Sequence, residues 1–222
     1  MKHNGLFITF EGGEGGGKST QIKKLSQYLT ALNHTPVTLR EPGATPIGEE
    51  IRHTLKYSKS NIAMTPEAEL LLMNASRAQL VREVIRPALS EGKIVLCDRF
   101  YDSTIAYQGY GRKLFLPAVQ SVIDFAVGDT RPDLTLLLDI PLDISEERRK
   151  ARLAGQPEKR DRIEDEADRS FFKRVQTGFY EIAKAEPNRV KLINASGSME
   201  EVYRLILTQV NPILRYKGYL QT

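Results

Sequence analysis

One segment near the start of the chain, residues 12–19, constrains the fold more than any other. It consists of Gly-Gly-Glu-Gly-Gly-Gly-Lys-Ser and fits the pattern G-x-x-x-x-G-K-[ST] at every fixed position. A short apolar segment, residues 6–10, precedes it, and apolar residues recur at helical spacing over residues 19–33. Strand, glycine loop and helix in this order are the context in which the pattern indicates a phosphate-binding loop.

The residues of this loop suit distinct tasks in holding a nucleotide. Its glycines let successive backbone N–H groups curl around an anion, and the N-terminus of the following helix adds partial positive charge. Lys18 is expected to reach the β- and γ-phosphates, and the Ser19 hydroxyl to bind Mg²⁺. An ordinary turn would not need so many glycines, since each one loses conformational entropy on folding. The predicted nucleotide-binding residues are Gly12, Gly13, Glu14, Gly15, Gly16, Gly17, Lys18, Ser19 and Thr20.

Length and composition bound the class of protein. The 222 residues suit one α/β domain spanning residues 1–222, and 41% hydrophobic with 27% charged residues is ordinary for a globular protein. The net charge of +4 is too small to argue for nucleic acid, and no basic stripe is interleaved with aromatic residues. No apolar stretch approaches the roughly 20 residues that span a bilayer. The chain is therefore predicted to bind neither nucleic acid nor membrane.

The cysteine content and the N-terminus indicate a compartment. Cys97 is the single cysteine of the sequence, which excludes an internal disulfide framework and fits a reducing environment. It follows the apolar run 94–96 and is predicted to be a small buried core residue rather than a reactive thiol. The first residues lead into the first strand without the apolar core of a signal peptide. We expect a cytoplasmic protein.

Strand and helix signals alternate along the chain. Apolar strand-like segments are predicted at residues 6–10, 36–40, 93–97, 134–139 and 190–193. They are apolar without interruption, as expected of strands that are covered on both faces. Alternation with helical segments predicts a three-layer α/β/α fold with a five-stranded parallel sheet.

Three further segments carry local signals. Thr65-Pro66-Glu67 is typical of a helix start, and this helix is predicted to reach about Leu89 with a kink at Pro87. Ser198 and Glu201 form a capping-box pattern for the last helix. Residues 148–164 are dense in charge and predict a helix end followed by a mobile loop. A lid subregion is placed at about residues 150–164.

Charged residues follow the predicted strands. Because ligands bind at the carboxyl ends of parallel strands, these residues are candidates for one site. Asp98 is placed to hold Mg²⁺ directly or through water, and Arg99 to clamp a phosphoryl group with its planar guanidinium. The alternative for this pair is a surface ion pair of little consequence. A guanine-nucleotide switch is disfavoured, since the chain has no N-K-x-D motif.

Five segments, in order along nearly the whole chain, resemble one family. They are Phe10-Glu11-Gly12-Gly13-Glu14-Gly15-Gly16-Gly17-Lys18-Ser19-Thr20, Arg40-Glu41-Pro42-Gly43, Asp98-Arg99-Phe100, Ala106-Tyr107-Gln108-Gly109 and Arg131-Pro132-Asp133-Leu134-Thr135. Together they closely resemble the bacterial thymidylate kinases, which are P-loop nucleoside monophosphate kinases. Adenylate kinases share that fold but carry a different glycine loop and lack the Arg-Glu-Pro-Gly and Tyr-Gln-Gly motifs.

The resemblance implies an activity and an assembly. It implies transfer of the γ-phosphoryl group of ATP, with Mg²⁺, to dTMP, giving dTDP and ADP for dTTP synthesis. It also implies a homodimer and a lid that closes over ATP.

The resemblance further implies roles for the phosphate and sugar contacts. Glu14 is similar to the carboxylate that meets the deoxyribose 3′-hydroxyl, and Arg52 and Arg99 to the arginines that orient the acceptor phosphate. Tyr107 matches a residue that packs under the sugar and leaves no room for a 2′-hydroxyl.

Other residues match the contacts to the base. Arg77 resembles the donor to thymine O4, and Gln108 the amide that recognises thymine N3–H and its neighbouring carbonyl, with the hydroxyl of Thr104 assisting. Without the resemblance, Arg77 would be taken for a solvated helix residue and Met73 for core packing. The implied substrate-binding set is Glu14, Glu41, Pro42, Arg52, Met73, Arg77, Arg99, Thr104, Tyr107 and Gln108.

The sequence departs from the family pattern in two places. Met73 stands where the family usually has a phenylalanine that stacks on the base. In the lid, Arg152, Arg160 and Arg162 are all candidates for the catalytic charge, because extra residues disturb the spacing. The predicted catalytic residues are Lys18, Arg99, Arg152 and Arg160.

Two rival functions remain open from the sequence. The nearer is another nucleotide or nucleoside kinase of the same fold. The more distant is a nucleotide-gated binding module or a P-loop ATPase that acts on nucleic acid.

Overall fold

The computed structural model describes residues 4–58, 61, 63–153 and 168–221, and within these ranges five strands form one parallel sheet. The strands are β1 (Leu6–Glu11), β2 (Val37–Arg40), β3 (Ile94–Asp98), β4 (Leu134–Asp139) and β5 (Val190–Asn194). Their order across the sheet is β2-β3-β1-β4-β5. The register aligns Leu6 with Ile94 and Ile8 with Leu134, which places β1 at the centre. The five predicted strands are confirmed, with bounds shifted by at most one residue.

Helices cover both faces of the sheet. They are α1 (Lys18–Ala31), α2 (Pro46–Lys56), α3 (Pro66–Leu80), α4 (Arg86–Ser90), α5 (Tyr101–Thr104), α6 (Leu116–Val127), α7 (Leu142–Leu153), α8 (Arg169–Ala185) and α9 (Met199–Tyr216). Side chains alternate along β1, so that Leu6 and Ile8 pack towards α1 and α9 while Phe7 packs towards α3 and α6. Cys97 is fully buried on that second face, as predicted. The three-layer α/β/α fold is confirmed.

The two edge strands differ from the prediction of continuously apolar strands. Residues of β2 alternate between half-buried and exposed, and in β5 the side chain of Leu192 is 54% exposed. Each edge strand has a neighbour on one side only, and the helices cover the centre of the sheet more completely than its margins. The continuous burial expected of both-face coverage holds for β1, β3 and β4.

The long helix that begins at Pro66 is interrupted one turn before the predicted kink. A π-helical turn, Val81–Ile85, separates α3 from α4, and the Arg86 N–H bonds to the Val81 carbonyl. Pro87 itself lies inside the regular turn of α4. A proline ring crowds the carbonyl four residues before it, so the preceding turn widens. A second π-helical segment, Ile105–Gly111, continues α5.

The remaining local predictions concern the N-terminal caps of two helices and the lid segment. Thr65 caps α3, and Ser198 and Glu201 form the complete capping box of α9. Most of the predicted lid, including Arg160 and Arg162, lies outside the described residues, as does the side chain of Arg152 at the end of α7. Within the described ranges, no helix is both long and apolar enough to cross a membrane.

Candidate active site

The glycine loop between β1 and α1 depends on glycine at defined positions. Gly12, Gly15 and Gly17 have φ angles of 123°, 75° and 83°, which L side chains rarely adopt. A Cβ atom on Gly12 would also lie 2.3 Å from the carbonyl oxygen of Leu138 in β4. The loop can therefore fold tightly against the sheet only with the glycines that the sequence supplies.

Lys18 folds back over this loop. Its Nζ donates to the carbonyl oxygens of Gly12 and Gly13, at 3.1 Å and 2.8 Å. The side chain is only 7% exposed, and burial together with the charge of Arg99 lowers its pKa. The ammonium group is thus held at the loop by directed hydrogen bonds rather than extended into solvent.

Ser19 and Asp98 meet at the carboxyl edge of the sheet. The Ser19 hydroxyl donates to Oδ2 of Asp98 at 2.7 Å, which joins the first turn of α1 to the end of β3. A hydroxyl and a carboxylate are hard oxygen donors of the kind that Mg²⁺ prefers in proteins. The pair fits the magnesium ligands expected from the sequence.

Arg99 is held in a left-handed backbone conformation, with φ of 69°. Its guanidinium donates to Glu14 at 2.6 Å and to the Ser103 hydroxyl at 3.0 Å, and lies 5.1 Å from the ring centre of Tyr107. Burial opposes ionisation of Glu14, but the charges of Lys18, Arg99 and Lys56 outweigh it and hold the pKa of Glu14 well below its usual range. The orientation of the Arg99 guanidinium in the site is therefore fixed by hydrogen bonds, and the Glu14 carboxylate lies beside it.

Behind Arg99 lies Glu11, a residue at the end of β1 to which the sequence analysis gave no individual role. It is fully buried and accepts hydrogen bonds from the Phe100 N–H at 2.7 Å and from the Ser103 hydroxyl at 2.5 Å. Burial, reinforced by the charge of Asp102, raises the pKa of Glu11 from 4.5 to about 7. The carboxyl thus anchors the segment that carries Arg99.

This raised pKa predicts a pH dependence of stability. Between about pH 4.5 and 7 Glu11 ionises in the unfolded chain but stays protonated in the folded one. The folded state then binds more protons, so raising the pH should lower the free energy of unfolding by up to about 1.4 kcal/mol per pH unit. Urea denaturation from pH 4.5 to 8 should show a smaller decrease for Glu11→Gln than for wild type. Parallel curves for the two proteins would contradict the assignment.

Two adjoining clefts open at this edge. The inner cleft, with a volume of about 560 Å³, brings together nine of the ten predicted substrate-binding residues. These are Glu14, Glu41, Pro42, Met73, Arg77, Arg99, Thr104, Tyr107 and Gln108. The tenth, Arg52, lines the larger outer cleft of about 1390 Å³ and donates to the Pro42 carbonyl at 2.9 Å.

The outer cleft contains most of the phosphate-loop residues. Gly15, Gly17, Lys18, Ser19, Thr20 and Asp98 line it. Gly12 and Gly13 border a smaller neighbouring cavity, and Gly16 packs against Leu138. The two clefts share four residues, Glu14, Glu41, Lys56 and Arg99. Groups bound in the two clefts would therefore meet at Arg99.

Arg77 lies buried at the wall of the inner cleft and is not a solvated helix residue. Its Nε donates to Glu41 at 2.9 Å, and its Nη1 donates to Asn74 at 2.8 Å and to Thr104 at 2.9 Å. Its Nη2 lies 2.7 Å from Glu41 and 3.2 Å from the Phe100 carbonyl oxygen. All three nitrogens of the guanidinium thus have partners, and these contacts hold together three segments of the chain that form the wall of the cleft. The Thr104 hydroxyl accepts a hydrogen bond from Arg77, so its own O–H remains able to donate a hydrogen bond to a ligand.

Sequence reasoning missed several other residues of the inner cleft. Lys56, at the end of α2, lines both clefts, while Phe100, Ser103 and Phe172 line the inner one. Phe172 comes from α8, beyond the lid in sequence, and packs in the same apolar cluster as Met73. Phe100 belongs to the Asp98-Arg99-Phe100 motif, but no local pattern marks Lys56, Ser103 or Phe172, because only the tertiary fold brings them to the site.

Known proteins match this chain over the strands and helices that form the site. A family model described as thymidylate kinase matches residues 10–206. The thymidylate kinase of Syntrophotalea carbinolica is 47% identical over 210 residues, which cover 94% of this chain and 96% of that protein. The one from Dehalococcoides mccartyi is 48% identical over 210 residues, covering 95% and 98% respectively.

The fold comparison agrees with the sequence comparisons. The crystal structure of thymidylate kinase from Ehrlichia chaffeensis at 2.15 Å matches with a TM-score of 0.73 and 33% identity. The match covers 93% of this chain and 98% of that one. With the glycine loop, both clefts and the helices around them inside the matched range, the chain belongs to the thymidylate kinase family.

Proposed function

We propose that this protein transfers the γ-phosphoryl group of ATP to the 5′-phosphate of dTMP, giving dTDP and ADP in the supply of dTTP. The observation that carries the proposal is the junction of the two clefts at Arg99 and Glu14. A phosphate-loop cleft suits the donor, and a mainly apolar cleft with a few polar groups suits the acceptor nucleoside. The reaction takes place in a single kinase domain, with a lid at about residues 150–164.

Positioning and charge neutralisation account for the chemistry. Lys18 holds the β- and γ-phosphates at the loop, and Arg99 bridges donor and acceptor phosphates, with Arg52 orienting the acceptor. The acceptor phosphate is already largely ionised near neutral pH, so no general base is needed. Ser19 and Asp98 would hold Mg²⁺, which would supply positive charge to the phosphoryl oxygens. A lid arginine, Arg152 or Arg160, adds charge when the lid closes and excludes water.

The inner cleft provides groups that fit thymidine. Gln108 recognises N3–H of the base, and the Thr104 hydroxyl, oriented by Arg77, donates to O4. Arg77 reaches O4 itself only if it exchanges one of its hydrogen bonds. Met73 packs on the base through its thioether, and Phe172 adds an aromatic surface nearby. On this proposal the second aromatic residue supports the base where the family's usual phenylalanine is replaced.

The sugar contacts favour the deoxy form. The Tyr107 hydroxyl lies 3.3 Å from Nη2 of Arg99, so its ring is fixed beside the junction of the clefts. A 2′-hydroxyl would press against this ring. Glu14 is close enough to the same junction to accept from the 3′-hydroxyl, although its carboxylate is already paired with Arg99.

We also infer a cytoplasmic homodimer. Helices α3 and α6 pack together, and each exposes a large apolar side chain, Leu71 at 58% and Phe125 at 84%. An apolar surface of this kind suits a second copy of the chain, which agrees with the resemblance. Sedimentation equilibrium should give twice the monomer mass of 25.0 kDa. A single species at monomer mass would contradict the homodimer.

The experiment that tests the activity is ADP release with Mg-ATP and a panel of acceptors. The panel contains dTMP, dUMP, thymidine, dCMP, dGMP and AMP. We expect strong turnover with dTMP and little with thymidine or with the other monophosphates. Preference for another base, or for an unphosphorylated nucleoside, would reassign the inner cleft. ATP hydrolysis stimulated by DNA without phosphorylation of any acceptor would replace the proposal with a nucleic-acid ATPase.

A further inference from the structure

A buried carboxylate lies directly behind Gln108. Glu69, on α3, is fully buried, and its Oε1 accepts from Nε2 of Gln108 at 2.7 Å. On its other side, Arg112 donates to Oε2 of Glu69 at 2.9 Å and to Oε1 at 3.3 Å. Gln108 itself is only 2% exposed and lines the inner cleft. The three residues form a chain of hydrogen bonds that ends at the cleft.

This chain fixes which end of the Gln108 amide faces the cleft. Both oxygens of Glu69 accept from the Arg112 guanidinium, and a carboxylate paired in this way with an arginine acts as a hydrogen-bond acceptor. Gln108 must therefore turn its NH₂ group towards Glu69, which leaves its carbonyl oxygen as the free end. Among the described residues, no protein donor bonds to that oxygen. The cleft thus presents a hydrogen-bond acceptor at this point.

We propose that Glu69 is a positioning residue that sets base specificity by holding the Gln108 amide in this single orientation. The inference deepens the proposed function and rests on it. Thymine carries a proton on N3 and can donate to the carbonyl oxygen of Gln108. Cytosine has a lone pair at N3 and would need the NH₂ group instead. The two orientations of an amide have the same shape, so packing alone does not choose between them.

Replacing Glu69 by glutamine removes the constraint with little change in volume. A neutral amide can accept from Gln108 or donate to it, so both orientations of Gln108 become possible. The variant cleft then offers either an acceptor or a donor to N3. Selectivity between bases with and without a proton on N3 should fall, because a site is selective when the wrong base leaves buried polar groups unpaired.

The informative pair of acceptors is dTMP and 5-methyl-2′-deoxyisocytidine 5′-monophosphate. The second compound keeps the 5-methyl group and the O4 carbonyl, has a lone pair at N3, and carries an amino group in place of the O2 carbonyl. It therefore isolates the contact to Gln108 from the contacts at O4, which dCMP would not do.

We expect Glu69→Gln to lower kcat/KM for dTMP about tenfold and to raise it about tenfold for the isocytidine compound. The ratio of the two should thus shift about a hundredfold. The loss for dTMP should lie mainly in KM for dTMP, with KM for ATP unchanged. The matched control is Glu67→Gln, the same change at an exposed position on the same helix, which should leave the ratio as in wild type.

Two outcomes would overturn the inference. One is an equal loss for both acceptors, which a purely structural role of Glu69 would give, and the other is wild-type kcat/KM for both; in either case the ratio of the two values stays as in wild type. If Glu69→Gln fails to fold, Glu69→Gln combined with Arg112→Gln removes the cation together with the carboxylate that it contacts and should show the same shift in ratio. Failure of the proposed function is a separate result, because wild-type protein would then not phosphorylate dTMP at all.

Discussion

Replacement of Lys18 by alanine is expected to lower kcat by about a thousandfold while the protein remains folded. The Lys18 ammonium lies at the glycine loop, bonded to two loop carbonyl oxygens, where the β- and γ-phosphates of ATP would bind. Deleting one donor that stabilises transition-state charge typically costs about 10²–10³ in kcat, and this donor carries a full charge. The measurement is ADP release at saturating ATP and dTMP.

The fold should survive this change because the lysine is already destabilised by burial. Its lowered pKa means that the protonated ammonium is less stable inside the folded protein than it is in water. Circular dichroism and a thermal melt should therefore match wild type closely. Lys23→Ala, an exposed lysine on the same helix, serves as the control and should retain wild-type turnover. Near-normal turnover of Lys18→Ala would refute the role given to Lys18.

Arg99→Lys should produce the second large loss, about a thousandfold in kcat/KM for dTMP, although the charge is kept. The guanidinium contacts Glu14, Ser103 and Tyr107 at the same time, and its planar geometry allows it to bridge two phosphates. A lysine ammonium is a point charge that cannot reproduce this geometry. Arginines that stabilise phosphoryl transfer contribute about 10³–10⁵ to kcat.

Arg99→Lys should lower the rate of phosphoryl transfer and the affinity for dTMP, and should change the affinity for ATP less. Single-turnover kinetics with dTMP in excess separates these steps. Arg204→Ala, an exposed arginine on α9, provides the control and should behave as wild type. A loss confined to the KM for ATP would place Arg99 on the donor alone and contradict its position between the clefts.

The parts of the site that could be predicted from sequence are those encoded locally. The strand, glycine loop and helix of residues 6–31 lie next to one another in the chain, and their φ angles demand glycine at fixed positions. The strand ends could be predicted to share one edge because parallel strands must do so. On that ground Asp98 is predicted to lie at the same edge as the glycine loop, which the motif assigns to Mg²⁺ through Ser19, and the two side chains lie 2.7 Å apart.

What could not be predicted depends on contacts between distant segments. Arg77 resembles any helix arginine in sequence, yet contacts with Glu41, Thr104 and the Phe100 carbonyl bury it completely. Likewise, nothing in the local sequence of Glu11 distinguishes it from a surface residue at a strand end. Its burial follows from the turn after β3, which closes over it with Phe100 and Ser103.

The shared wall between the two clefts has a thermodynamic consequence. Since Glu14, Lys56 and Arg99 border both spaces, a ligand in one changes the electrostatic field that a ligand in the other experiences. Linkage requires that any effect of the donor nucleotide on acceptor affinity be matched by an equal effect of the acceptor on donor affinity. A single molecule that joins an adenosine to a thymidine through a chain of phosphates would bind both clefts intramolecularly. Its affinity would then report this coupling directly, together with the effective concentration set by the length of its phosphate bridge.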